Sequence, residues 1–86
     1  MSLEECQAEI LNLSQQVGYR LRKQGFSGNT LTLKVKYNDF RLITRSTTCE
    51  SDIIYDEDIY KLAMGLLRTI SFNKGIRLLG VTVSNL

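Results

Sequence analysis

"TLTLKVKYNDFRLITRS", residues 30–46, decides the fold. Its first half alternates without a break. Leu31, Leu33, Val35 and Tyr37 point one way; Thr30, Thr32, Lys34 and Lys36 point the other. A period of two with one apolar set predicts a half-buried antiparallel strand over 30–37. Asn38-Asp39 supplies turn chemistry, because both residues tolerate a positive φ. A second strand is expected from about Phe40 to Thr48. Alternation there puts Phe40, Leu42 and Thr44 on one parity and Arg41, Ile43 and Arg45 on the other. Across an Asn-Asp turn, Lys34, Lys36, Arg41 and Arg45 then share the open face of a hairpin. Phe40 and Leu42 anchor its second strand to the core.

Helical periodicity flanks the hairpin. Leu3, Cys6, Ile10, Leu13, Val17 and Leu21 recur at spacings of three and four, predicting an amphipathic helix over 3–24. Gly25 is placed to end it in a left-handed cap. Phe26, the apolar residue of the following loop, is expected to return to the core. Ile59, Leu62, Ala63, Leu66, Leu67 and Ile70 mark a second helix over 56–71, with Asp56 as its N-cap and Asn73-Lys74-Gly75 as its stop. A last strand follows in "IRLLGVTVSNL", residues 76–86. The order α-β-β-α-β specifies an α+β fold, an antiparallel sheet with both helices on one face. The other sheet face is left open.

With 86 residues the chain forms one domain, residues 1–86, with room for a single small core. No apolar run approaches the ~20 residues of a membrane span. The first ten residues have no basic start and carry three glutamates, unlike a secretory signal. Cys6 and Cys49 form no metal-ligand spacing and no disulfide framework, and read as free thiols in a reducing cytoplasm.

The net charge of +2 conceals a segregation. Residues 20–49 hold Arg20, Arg22, Lys23, Lys34, Lys36, Arg41 and Arg45 against the single acid Asp39, while five of the nine acids lie in 50–58. A basic middle attracts polyanions, although a solvated surface of scattered cations fits the same charges. Catalysis finds little footing. The chain contains no histidine, the commonest general base and metal ligand, and no phosphate-binding glycine loop. Asp52, Asp56, Glu57 and Asp58 could hold a divalent cation, but fit a solvated helix N-terminus better. Lysines, arginines and hydroxyls on an open sheet suit phosphate contact. The polar-parity positions include no aromatic for base stacking, which favours sequence-independent binding over single-strand RNA recognition.

Three segments carry a resemblance: "RLRKQGFSGNTLTLKVKY", "DFRLITRS" and "IRLLGV". Together they resemble the little finger domain of Y-family translesion DNA polymerases, of the polymerase IV type, across residues 3–86. The resemblance implies a domain excised from a longer polymerase, gripping the backbones of primer–template duplex across the major groove. It implies contacts from Thr44, Arg45 and Ser46, and from Arg77, Thr82 and Ser84 on the last strand. It also implies a sliding clamp as partner of the parent protein, a cytoplasmic location, and magnesium in the parent's palm but no cofactor here. Relatives begin with a strand missing from this chain and end in a clamp-binding peptide expected beyond Leu86. Residues 76–84 would then be a free edge able to pair with another molecule. Arg77 shares alternation with Leu79, Val81 and Val83, so a bulge must re-aim it, or it lies at the sheet margin. Two other readings remain: a module contacting only the clamp, and a generic RNA-binding α+β domain.

Overall fold

The computed structural model describes residues 1–72 and 74–85. The elements are α1 (Leu3–Gln24), β1 (Gly28–Tyr37), β2 (Leu42–Ile53), α2 (Asp56–Leu67) and β3 (Ile76–Ser84). The sheet order is β2-β1-β3, antiparallel on both sides of β1. Both helices cover one face, α1 over β3 and α2 over β1 and β2. The α+β architecture read from the sequence is the one observed.

The core forms where the helical stripes meet the apolar parity of the strands. Leu31, Leu33 and Val35 of β1 are fully buried against Ile10 of α1 and Ile59 and Leu67 of α2, with Ile76, Leu79 and Val83 from β3. Each fully buried Leu or Ile contributes roughly 1.5–3 kcal/mol of transfer free energy. Ser14 is the one buried polar residue among these, and its hydroxyl donates to the Ile10 carbonyl at 2.7 Å. Gly18 is buried where the helices cross: a Cβ there would collide with the Asp56 carboxylate, which is paired with Arg22 at 2.9 Å.

The ends of α1 follow their residue chemistry. Ser2 and Glu5 form a reciprocal capping box, and Gly25 takes the left-handed cap at φ 71°. Two expectations change nearby. Phe26 does not enter the core: its N–H is drawn to the Leu21 carbonyl at 3.0 Å by the cap. Its ring stays 53% exposed, beside Val17, Leu21, Val81 and Val83 along the outer margin of β3. Asp56 is the first residue of α2 rather than its cap. Tyr55 occupies the cap position without a side-chain bond, and the Asp56 carboxylate is engaged by Arg22 instead.

Helix α2 also ends at Leu67, short of the expected residue 71. Both the N–H and the hydroxyl of Thr69 bind the Leu66 carbonyl, at 3.0 and 2.7 Å, which tightens the chain into a turn. Ile70 still reaches the core from that turn. The expected stop begins at Asn73, which lies outside the described residues; Gly75 takes φ 69° before β3. No helix of the described residues is long and apolar enough to cross a membrane.

Candidate nucleic-acid interface

Directly paired residues of an antiparallel sheet point to the same face, so the register specifies the open surface. Three rows cross it. Thr48, Thr30 and Ser84 form the first; Ser46, Thr32 and Thr82 the second; Thr44, Lys34 and Gly80 the third. Leu42, Lys36 and Leu78 form a fourth row at the hairpin end. The result is a field of seven hydroxyls grading into two lysines and then two exposed leucines. Thr30 and Thr48 hydroxyls lie 3.1 Å apart, within hydrogen-bonding distance. Gly80 adds no side chain over Lys34, so the stem of Lys34 stands in the open.

The hairpin loop is one residue longer than the Asn-Asp turn suggests. Tyr37 accepts from the Phe40 N–H at 2.9 Å and donates its own N–H to Arg41 at 2.9 Å, leaving Asn38, Asp39 and Phe40 as the loop. Positive φ falls on Phe40, at 67°, and not on Asn38 or Asp39. One added loop residue moves the pairing by one position and exchanges the faces of the second strand. Arg41 and Arg45 therefore do not join Lys34 and Lys36. Arg45 lies opposite Leu33, on the helix side of the sheet. Phe40 and Leu42, expected to anchor the strand, are instead 61% and 59% exposed.

Arg41 and Arg45 line a cleft of about 420 Å³ between the β2 edge and the turn after α2, with Tyr37, Ile43, Thr69 and Lys74. Arg45 Nη1 donates to the Thr44 carbonyl at 2.9 Å. Because β2 is an edge strand, its long side chain stands at the rim of the sheet. Asp39 limits the charge of this cleft. The Arg41 backbone N–H donates to it at 3.0 Å and the Lys74 ammonium at 3.2 Å, and these bonds hold its carboxyl below the usual aspartate range.

Arg77 reaches the open side by a bulge. Lys36 pairs with Leu78 while Tyr37 pairs with Ile76, which leaves Arg77 as the extra residue. That break lets Ile76 and Leu79 both enter the core while Arg77 and Leu78 face solvent. The Arg77 guanidinium lies over the Phe40 ring, 4.6 Å from its centroid, and the Lys36 ammonium lies 5.4 Å from the same centroid. Holding a bulky residue in left-handed backbone costs about 1–3 kcal/mol. Each exposed cation–ring contact returns only about 0.5–1 kcal/mol.

Six residues expected at the site thus share the open face: Lys34, Lys36, Thr44, Ser46, Thr82 and Ser84. Arg77 joins at its end, and Arg41 and Arg45 stand on the opposite side. Sequence reasoning placed Thr30 and Thr32 on this face but passed over them and Thr48 as contacts. The register alone shows that they complete the hydroxyl rows. The acids Asp52 and Asp56 are spoken for separately: Asp52 accepts from the Ser27 hydroxyl at 2.7 Å, and Asp56 holds Arg22.

Residues 1–86, the whole chain, match the C-terminal domain of the impB/mucB/samB family. The chain belongs to this family. Curated relatives of the impB/mucB/samB domain include a DNA polymerase IV of Desulfatibacillum aliphaticivorans, 45% identical over 99% of this chain and 22% of the relative. A DNA polymerase IV of Clostridioides difficile is 46% identical over 96% of this chain and 23% of its own length. The chain therefore spans under a quarter of these relatives. A solved complex of the beta-clamp processivity factor and the little finger domain of PolIV matches with a TM-score of 0.75 and 25% identity. That match covers 96% of this chain and 75% of the solved one. The little finger resemblance in the sequence and the fold of the impB/mucB/samB domain agree.

Proposed function

We propose that this domain grips the sugar–phosphate backbone of primer–template duplex for a translesion polymerase of the polymerase IV type. The observation that carries the reading is the open sheet face. Hydroxyls and lysines stand there in register, with no base-stacking aromatic within the rows. Hydroxyls and ammonium groups donate to phosphate oxygens whatever the base sequence, so the grip is sequence-independent and serves processivity during DNA repair. Polymerisation, with its magnesium, belongs to the remainder of a longer cytoplasmic protein. The clamp named with the solved little finger supports a second contact, to the sliding clamp. We further propose that the outer edge of β3 takes up a strand from a second copy of the isolated chain. Sedimentation equilibrium showing a monomer at high concentration removes that idea.

Fluorescence anisotropy on labelled duplex across a salt series tests the grip. Lys34, Lys36 and Arg77 give an expected slope of log affinity against log salt of about −2.7, at about 0.9 per phosphate neutralised. Affinity that is absent at low salt, or unaffected by salt, rejects the reading. Preference for single-stranded RNA over duplex would revive the RNA-binding alternative.

A further inference from the structure

Two irregularities of the backbone meet at one point on the open face. The hairpin loop ends in a left-handed residue, a position that ordinarily selects glycine, and the residue there is Phe40 at φ 67°. Its ring is not recovered by the core, since 61% of the residue is exposed. Across the sheet, a bulge in β3 turns Arg77 out of alternation. The result is a guanidinium 4.6 Å from the centroid of the Phe40 ring, with the Lys36 ammonium 5.4 Å from it. The loop irregularity gains no burial for Phe40, and the bulge that buries Ile76 and Leu79 leaves Arg77 exposed. Together they assemble two cations from β1 and β3 around one aromatic surface from the loop between β1 and β2.

We infer that Phe40 is a positioning residue, whose ring holds the Arg77 and Lys36 side chains in place so that they bind neighbouring phosphodiesters of the duplex at the hairpin end of the sheet. A guanidinium on an aromatic face keeps its in-plane N–H donors directed outward, available to phosphate oxygens. Without the ring, Arg77 is a solvated side chain that must be ordered at each binding event. The exposed Leu42 and Leu78 flank the point and give these phosphates no competing donor.

This inference rests on the duplex reading, and the experiment separates the two. Duplex affinity across a salt series is measured for the wild-type chain, Phe40→Asn, Phe40→Tyr, Arg77→Ala and the double variant Phe40→Asn/Arg77→Ala. Asparagine tolerates left-handed backbone, so Phe40→Asn removes the ring without straining the loop. Phe40→Asn is expected to weaken binding at least about threefold and to flatten the salt slope toward that of Arg77→Ala, which loses about one unit. The double variant should bind no worse than Arg77→Ala, and Phe40→Tyr should bind as the wild type. In the DNA-free chain, the Arg77 side-chain protons should show upfield ring-current shifts that Phe40→Asn abolishes. Wild-type binding matched by Phe40→Asn refutes the positioning role alone. Additive losses in the double variant refute it too, because the ring would then contact DNA independently. Unshifted Arg77 protons in the wild type refute the stacking itself. A wild-type chain that binds no duplex even at the lowest salt defeats the duplex reading and this role with it.

Discussion

Replacing Lys34 with alanine separates the two faces of the hairpin. Lys34 stands in the third row of the open face, opposite Thr44 and beside Gly80. Arg41 adjoins it in no row and lines the cleft on the helix side. Both are single cations on one hairpin, so a reading from net charge alone makes them equivalent. The structure does not. With Lys34, Lys36 and Arg77 each neutralising one phosphate, raising salt from about 50 to about 200 mM should weaken wild-type binding by about 42-fold, from a slope of about −2.7. Lys34→Ala leaves two such contacts and a slope of about −1.8, so the same change in salt should cost only about 12-fold. Arg41→Ala should stay within about 0.4 of the wild-type slope, less than half of one contact. Anisotropy on one labelled duplex, read at four or five salt concentrations for the three proteins, resolves these values. Equal flattening by both substitutions would refute the assignment of the duplex to the hydroxyl–lysine face.

Thr32→Val keeps shape and strand propensity in the central row but removes a hydroxyl; it should weaken duplex binding by about 0.5–1.5 kcal/mol while leaving the melting temperature almost unchanged. Leu33→Ala opens a cavity in the fully buried centre of β1 and should destabilise by about 2–5 kcal/mol, seen as a lower urea midpoint. The Asp39 carboxyl is held low by the Arg41 N–H and Lys74, and that of Glu5 by the Ser2 N–H and hydroxyl. Their contributions are present above the ordinary carboxylate range and are lost as pH falls through the depressed values. Stability measured by urea unfolding should fall with acid in that window, and Asp39→Ala/Glu5→Ala should show a shallower fall than the wild type.

The parts of the fold legible in the sequence are those in which a single period persists. Leu31, Leu33, Val35 and Tyr37 hold a strict alternation, and the structure buries all four. Cys6, Ile10 and Leu21 likewise lie buried on the stripe that their spacing marks. Legibility ended where one residue changes a count. An Asn-Asp pair reads as a two-residue turn, and a phenylalanine at positive φ has no signature in composition. That one position exchanged the faces of Arg41 and Arg45, exposed Leu42, and set Thr44 and Ser46 beside the lysines. Arg77 failed the alternation test for a related reason, since a bulge inserts a residue that a period of two cannot accommodate. The length of α2 was set by hydroxyl and backbone bonds at Thr69 rather than by the apolar stripe, which continues to Ile70.

The central place of β1 has a consequence for the order in which the domain is made. On one side β1 meets β2 through a three-residue loop, an association closed on the microsecond scale of hairpins. On its other side Thr32 meets Thr82, a partner separated from it by the whole of β2 and α2. Closing that longer loop is entropically the costlier step, so β3 should be the last strand to add. Until then the β3-facing edge of β1 stays unpaired, with Leu31, Leu33 and Val35 incompletely covered. The nascent chain is most prone to aggregate in that interval. Substitutions in β3 should therefore chiefly accelerate unfolding, while those in the hairpin should slow folding.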